Sequence, residues 1–162
     1  MVQLWLNLPA KDKMSAPHYQ GIPDKNILSA ELPDGAGVLR LIAGDYNGMK
    51  GAANTFTAVN LWDLRLKGGK NVTLSVPVGH NAFLLVLSGR ITVNGVEEVQ
   101  PTELVQFSKD GAAISFAAAE DSSVLFMSGE PIDEPVVGYG PFVMNTRDEI
   151  RQAINDYSAG RF

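Results

Sequence analysis

The chain of 162 residues contains no cysteine. That excludes disulfides, thiolate metal centres and a cysteine nucleophile. Histidine is almost as scarce, with only His18 and His80. No Lys/Arg cluster stands out: the KDK run at 11–13 is broken by an acid, and thirteen basic residues face eighteen acidic ones, a net charge of −5. Nucleic-acid binders normally present a basic face, so direct DNA or RNA recognition is not expected. No apolar run approaches the length that spans a bilayer, and no membrane role is expected. The opening MVQLWLNLPAKDKM lacks a basic stretch followed by a long apolar one, so it does not read as a signal peptide. The expected location is cytoplasmic.

What is present is ordinary for a globular protein: 45% hydrophobic and 19% charged residues. The length suits one domain with a substantial core. Most of it reads as short strands. Val2 to Leu8 has the look of a strand stopped by Pro9, and residues 9–25, with Pro9, Pro17, Gly21 and Pro23, read as an extended connector. Strands are expected at Ile27–Leu32 and Val38–Ala43, followed by a loop over 44–52. Between Phe56 and Leu66, Trp62, Leu64 and Leu66 alternate with Asp63, Arg65 and Lys67, the mark of a half-buried strand. Phe83–Leu87 is continuously apolar, as in a strand covered on both faces. Asn94-Gly95, within Ile91–Val99, predicts a hairpin whose type I′ turn needs positive φ at both positions. Leu104–Phe107, Ala112–Ala117 and Ser123–Ser128 complete the set. So many short strands imply an all-β sandwich or jelly roll.

The last segment changes period. Thr146-Arg147-Asp148-Glu149 fits a capping box, and Ile150, Ala153, Ile154 and Tyr157 repeat at helical spacing before Gly160. One amphipathic helix over 147–158 is expected. No phosphate-binding loop or nucleophile elbow is present.

From Gly69 to Asp110 the chain reads GGKNVTLSVPVGHNAFLLVLSG, then RITVNG, then VEEVQPTELVQFSKD. This resembles the two-motif frame of cupin barrels, G-x5-H-x-H-x(3,4)-E-x6-G and G-x5-P-x-G-x2-H-x3-N. Counting back from Gly89 puts the acidic ligand position on Ala82. Counting forward from Gly95 gives Pro101, then Glu103 in place of glycine, Gln106 in place of the second-motif histidine, and Asp110 in place of Asn. The first-motif histidine positions depend on register. From Gly69 they fall on Ser75 and Pro77; the alternation of Val72, Leu74, Val76 and Val78 favours Val76 and Val78. A catalytic metal usually takes about three His, Asp, Glu or Cys ligands. Val76, Val78, Ala82 and Gln106 supply none, so neither a metal nor another cofactor is expected.

LWLNLPAKDKM at 4–14, IAGDYNGMKGAANTFT at 42–57, VGHNAFLLVLSGRITVNG at 78–95 and GEPIDEPVVGYGPFVMNTRDEIRQAINDYSAGRF at 129–162 together resemble the pirin family. The resemblance implies a cupin, that is, a jelly-roll double-stranded β-helix barrel, with one C-terminal α-helix. Pirins are usually bicupins about twice this length, with metal-binding His and Glu in the N-terminal barrel, and some oxidise flavonols such as quercetin. This chain is similar to the C-terminal half, so none of the family's metal residues maps onto it. The implied organisation is a single domain over 1–162: strand and linker at 1–25, barrel at 26–130, tail and helix at 131–162.

Two polar residues remain as candidates for an otherwise apolar cavity. His80 shares the parity of Ala82 and could point inward, with Gln106 beside it; alternatively its ring nitrogens satisfy backbone groups at the turn. His18, in the connector, reads as a surface residue. Glu97 and Glu98 are adjacent on a strand and point to opposite faces, and Asp133-Glu134 precede a proline in a loop; both pairs read as solvated rather than as acid–base dyads. Each barrel of a bicupin covers part of the other. The expected function is therefore a metal-free module acting by association, as a homo-oligomer such as a dimer, or with a separate cupin-domain protein. Leu4, Trp5, Leu6, Tyr139 and Phe142 are the candidate interface. The alternatives are a quercetin 2,3-dioxygenase-like oxidoreductase and a small-ligand binder using the barrel cavity.

Overall fold

Period-two patterning becomes a pair of facing sheets in the computed structural model, which describes residues 1–161. The chain divides into two compact units: Tyr19–Pro131, and residues 1–18 together with the chain from Ile132 onward.

The larger unit holds twelve strands, running β1 (Leu28–Glu31), β2 (Gly37–Ala43), β3 (Asp45–Tyr46), β4 (Met49–Lys50), β5 (Val59–Leu66) and β6 (Lys70–Ser75). They continue as β7 (Asn81–Ser88), β8 (Ile91–Val93), β9 (Glu97–Val99), β10 (Leu104–Gln106), β11 (Ala113–Ala118) and β12 (Ser122–Gly129). One sheet has the order β1-β2-β5-β12-β7-β10 and the other β6-β11-β8-β9. All their pairings are antiparallel. One face of each closes on a shared core, with Leu39, Trp62, Leu64, Leu84 and Phe126 from the first sheet and Val72, Leu74, Ile91, Ile114 and Phe116 from the second. This is the mostly-β cupin architecture that the sequence implied. Near-complete burial of a large aliphatic or aromatic side chain contributes about 1.5–3 kcal/mol. The alternation, not any single residue, is what specifies the register.

Several local expectations change. Residues 1–8 form no strand; alternation without a partner ladder leaves backbone groups unpaired, so it does not make one. The segment over 44–52 is not a plain loop. Asn47 and Gly48 both take positive φ (47° and 81°) and turn β3 back on β4, the same dipeptide signal that turns β8 into β9 at Asn94 and Gly95 (51° and 70°). In β7, Ala82, Leu84 and Val86 are buried, whereas Phe83 and Leu85 are half-buried and Leu87 is exposed, so an apolar run here does not mean equal cover on both faces.

Asp63 is a charged residue that the fold buries. On the outer face of β5 it is buried, and its Oδ2 accepts from Arg40 Nη1 and Arg65 Nη2, each at 2.8 Å. Arg40 also pairs with Asp24. A buried carboxylate is tolerable when cations and hydrogen bonds replace its water.

In the second unit, β13 (Val137–Tyr139) pairs with β14 (Phe142–Met144), followed by α1 (Arg147–Ser158). The capping box is formed: Thr146 Oγ1 accepts from Glu149 N at 3.2 Å and Glu149 Oε2 accepts from Thr146 N at 2.7 Å. Gly160, at φ 67°, ends the helix in the left-handed conformation that glycine adopts without penalty. None of the described residues forms a helix long and apolar enough to cross a membrane.

Candidate functional site

Two concave regions compete for attention, one in each unit. The first is the mouth of the barrel, a cavity of about 520 Å³ whose lining includes Asp45, Thr55, Asn60, Trp62, Ser75 and His80. The lining draws on the β2–β3 corner, on β5 and on the end of β6. Asn60 and Trp62 belong to the inward row of β5, which continues as Leu64 and Leu66. Asn60 is fixed on both sides of its amide: Nδ2 donates to Ser128 Oγ at 3.0 Å, and Oδ1 accepts from Asp45 N at 3.2 Å. Gly44 lets the chain pass this close. A Cβ there would stand 2.1 Å from Asn60 Oδ1, and its φ is 86°. The Trp62 ring is held by Tyr46, edge-on at 5.5 Å between centroids, and by Phe126 at 5.1 Å.

The vacant ligand positions of the cupin frame do not converge. Val76 and Ala82 line a small neighbouring cavity of about 70 Å³, together with His80. Val78 does not face it: β6 ends at Ser75, Pro77 interrupts the alternation, and Val78 is 69% exposed. Gln106 lies opposite Phe83 in the β7–β10 pairing and is exposed. Its neighbours Val105 and Phe107 are the ones that pack on the core. The expected pairing of Gln106 with His80 is therefore corrected: the two belong to different faces. His80 stands on the cavity wall as parity suggested, but its Nδ1 is buried without a hydrogen-bond partner, so the turn does not satisfy that nitrogen. Among the described residues no group of three or more His, Cys, Asp or Glu side chains could hold a metal ion. The donor set does not fit a cupin metal centre.

The second concave region lies in the smaller unit. Its groove, of about 580 Å³, is lined by Trp5, Leu6, Met14, Phe142, Val143 and Ala153 among others. Lys13 ties the N-terminal segment to β14, donating to Asn7 Oδ1 at 2.7 Å and to Val143 O at 3.1 Å. Glu134 is not merely solvated; its Oε2 accepts from Ala10 N at 2.7 Å and from Asn145 Nδ2 at 2.9 Å. On the rim, hydrogen bonds from Gln152 and from Arg161 hold the Asp156 carboxyl below its usual range. Trp5 is 74% exposed and Tyr139 67% exposed, with Leu4 and Leu6 also exposed, while Phe142 packs edge-on against Tyr157 at 5.9 Å. Leu4, Trp5, Leu6 and Tyr139 are thus on the surface, and Phe142 is half-buried. His18 is exposed.

Sequence reasoning did not single out Trp62, Asn60 or Asp45 as site residues. Trp62 reads as core because it is apolar at an inward position. The signal available was Asn60 at i−2, a polar residue on the same inward face.

Comparison with known proteins bears on both regions. The family profile of the Pirin C-terminal cupin domain matches residues 61–162. The chain is 46% identical, over all 162 of its residues and 56% of the relative, to the Pseudomonas aeruginosa protein named "Putative quercetin 2,3-dioxygenase PA2418". It is 36% identical over 163 residues (99% of the chain, 55% of the relative) to a "Pirin-like protein" of Solanum lycopersicum. Among solved structures, quercetin 2,3-dioxygenase from Acinetobacter baumannii superposes with a TM-score of 0.91 at 43% identity, covering 98% of this chain and 55% of that one. The chain spans somewhat over half the length of these relatives.

Proposed function

Because the chain belongs to the pirin family through its C-terminal cupin domain, we propose that it is a barrel without a metal centre that works by association. The companion is a second cupin-type barrel, supplied by another copy of this chain or by a separate protein. The groove beside Trp5, Leu6 and Phe142 is the docking surface. The observation that carries this reading is the exposure of Trp5, Leu6 and Met14 around one apolar concavity. Large aromatic side chains left in water at a concave patch are the usual anchors of an interface. The relatives' additional length is consistent with a companion of barrel size. A specific interface typically buries about 800 Å² per partner.

The test is sedimentation velocity on the chain alone and mixed with the portion of the Pseudomonas aeruginosa relative that the match leaves uncovered. A dimer, or a complex of the two, supports the proposal. A particle of 17.4 kDa under both conditions overturns it.

The second reading is quercetin 2,3-dioxygenase activity. The names of the 46%- and 43%-identical relatives favour it. On this reading the chain would contribute to such chemistry within an assembly, since its own described residues offer no metal-ligand cluster. Quercetin consumption by the isolated chain with added divalent metal, absent from a heat-denatured control, would instead make it an enzyme in its own right.

A further inference from the structure

We infer that the mouth of the barrel is a binding site for a small neutral molecule with an apolar body and a hydrogen-bond-accepting oxygen. This is independent of the association reading, because every residue it uses lies in the larger unit.

Buried polar atoms in folded proteins nearly always have partners, and each exception calls for an explanation. Five side-chain N or O atoms among the described residues are exceptions: Trp62 Nε1, Asp63 Oδ1, His80 Nδ1, Ser123 Oγ and Asn145 Oδ1. Two of the five, Trp62 Nε1 and His80 Nδ1, belong to residues on the wall of this one cavity. Trp62 is 2% exposed, and its indole N–H can only donate. Leaving such a group unpaired costs about 1–3 kcal/mol. An acceptor oxygen entering the mouth would remove that cost for Trp62, and His80 can meet the same oxygen as a donor.

The rest of the lining sets the class. Ala58, Val59, Val76 and Pro77 offer apolar wall. Asn60 is already committed to Ser128 and to the backbone of Asp45, so it competes little for a ligand. Asp45, a lining residue, adds negative charge near the cavity, which disfavours an anion. A volume near 520 Å³ lies within the ordinary range of small-molecule pockets. Barrels of this kind enclose ligand cavities when their interiors are not filled by side chains.

The experiment uses the full chain carrying Trp5→Phe, so that the one remaining indole N–H signal in a ¹H–¹⁵N spectrum is that of Trp62. Acetophenone is titrated against α-methylstyrene, which has the same shape with a methylene in place of the oxygen, and against benzoate. The expected result is a saturable downfield shift of the Trp62 signal with acetophenone. Affinity for α-methylstyrene should be at least about fivefold weaker, in line with one net hydrogen bond. Benzoate should bind more weakly than acetophenone. Ala58→Phe, a change at an exposed lining position, should abolish saturation while leaving the unliganded spectrum folded. No saturable shift, equal affinity for acetophenone and α-methylstyrene, or binding that Ala58→Phe does not affect would each overturn the site. Benzoate binding as tight as acetophenone would overturn its assignment to neutral ligands.

Discussion

Gln106 sits directly across the β7–β10 ladder from Phe83, on the sheet face opposite that of Ala82 and Leu84. A position that a cupin frame reserves for a metal ligand thus faces away from the barrel interior. Gln106→Ala should change the unfolding free energy by no more than about 0.5 kcal/mol, as for other exposed sites. Leu84→Ala, one residue from Phe83 but in the core, should cost about 2–5 kcal/mol. Urea unfolding of the two variants checks the contrast.

Gly44→Ala should be costly for a local reason. The added Cβ would meet Asn60 Oδ1 at 2.1 Å and Val59 O at 2.6 Å, at a φ of 86°. The backbone conformation alone carries about 1–2 kcal/mol against an L side chain. The expected outcome is a destabilisation of at least that size, with the Trp62 environment altered in near-ultraviolet circular dichroism. An unchanged melt would show that the β2–β3 corner moves freely.

The helix of the smaller unit depends on its cap. Thr146→Ala removes the hydroxyl that accepts from Glu149 N and should lower stability by about 1 kcal/mol. Thr146→Ser should restore most of it, and amide exchange over 147–150 should report the difference.

The pH dependence has a defined sign at Asp121. Its carboxyl is held below the ordinary range by a hydrogen bond from Gly68 N, at 2.9 Å, and by Lys67 Nζ, at 2.7 Å. A lowered folded value means stability that is fully present above the unfolded carboxylate value, near pH 4, and lost as pH falls through the folded value. Lys67 is raised by the same partner, so its share is present below the ordinary lysine range and is lost only at strongly alkaline pH. Wild type and Asp121→Asn should therefore differ in melting temperature at pH 6 and converge as the pH falls below about 4. A constant gap across that range would contradict the assignment.

Much of the barrel was legible because its signals are local. Alternation in 59–66 and 72–75, the Asn94-Gly95 turn and the Thr146–Glu149 box each depend on residues a few positions apart. What was not legible depends on distant partners. Nothing near Asp63 announces that Arg40, 23 residues away, makes its burial tolerable. Nothing in residues 1–8 says that no strand is available to pair with them. The site divides in the same way. His80 could be placed on the cavity wall from parity, whereas the outward face of Gln106 follows from the β7–β10 register, and the orphaned Trp62 Nε1 follows from what the fold fails to place beside it.

Association through the Trp5 groove can be measured directly in solution. Its most direct measurement is the molar mass in solution across micromolar concentrations, for the wild-type chain and for Trp5→Glu, with thermal melts of both. Wild type should exceed the 17.4 kDa of one chain, or bind a companion barrel. Trp5→Glu should lose that association with little change in melting temperature, because Trp5 is exposed. A strictly monomeric wild type that binds no companion barrel, or a Trp5→Glu variant that associates as well as wild type, would contradict it.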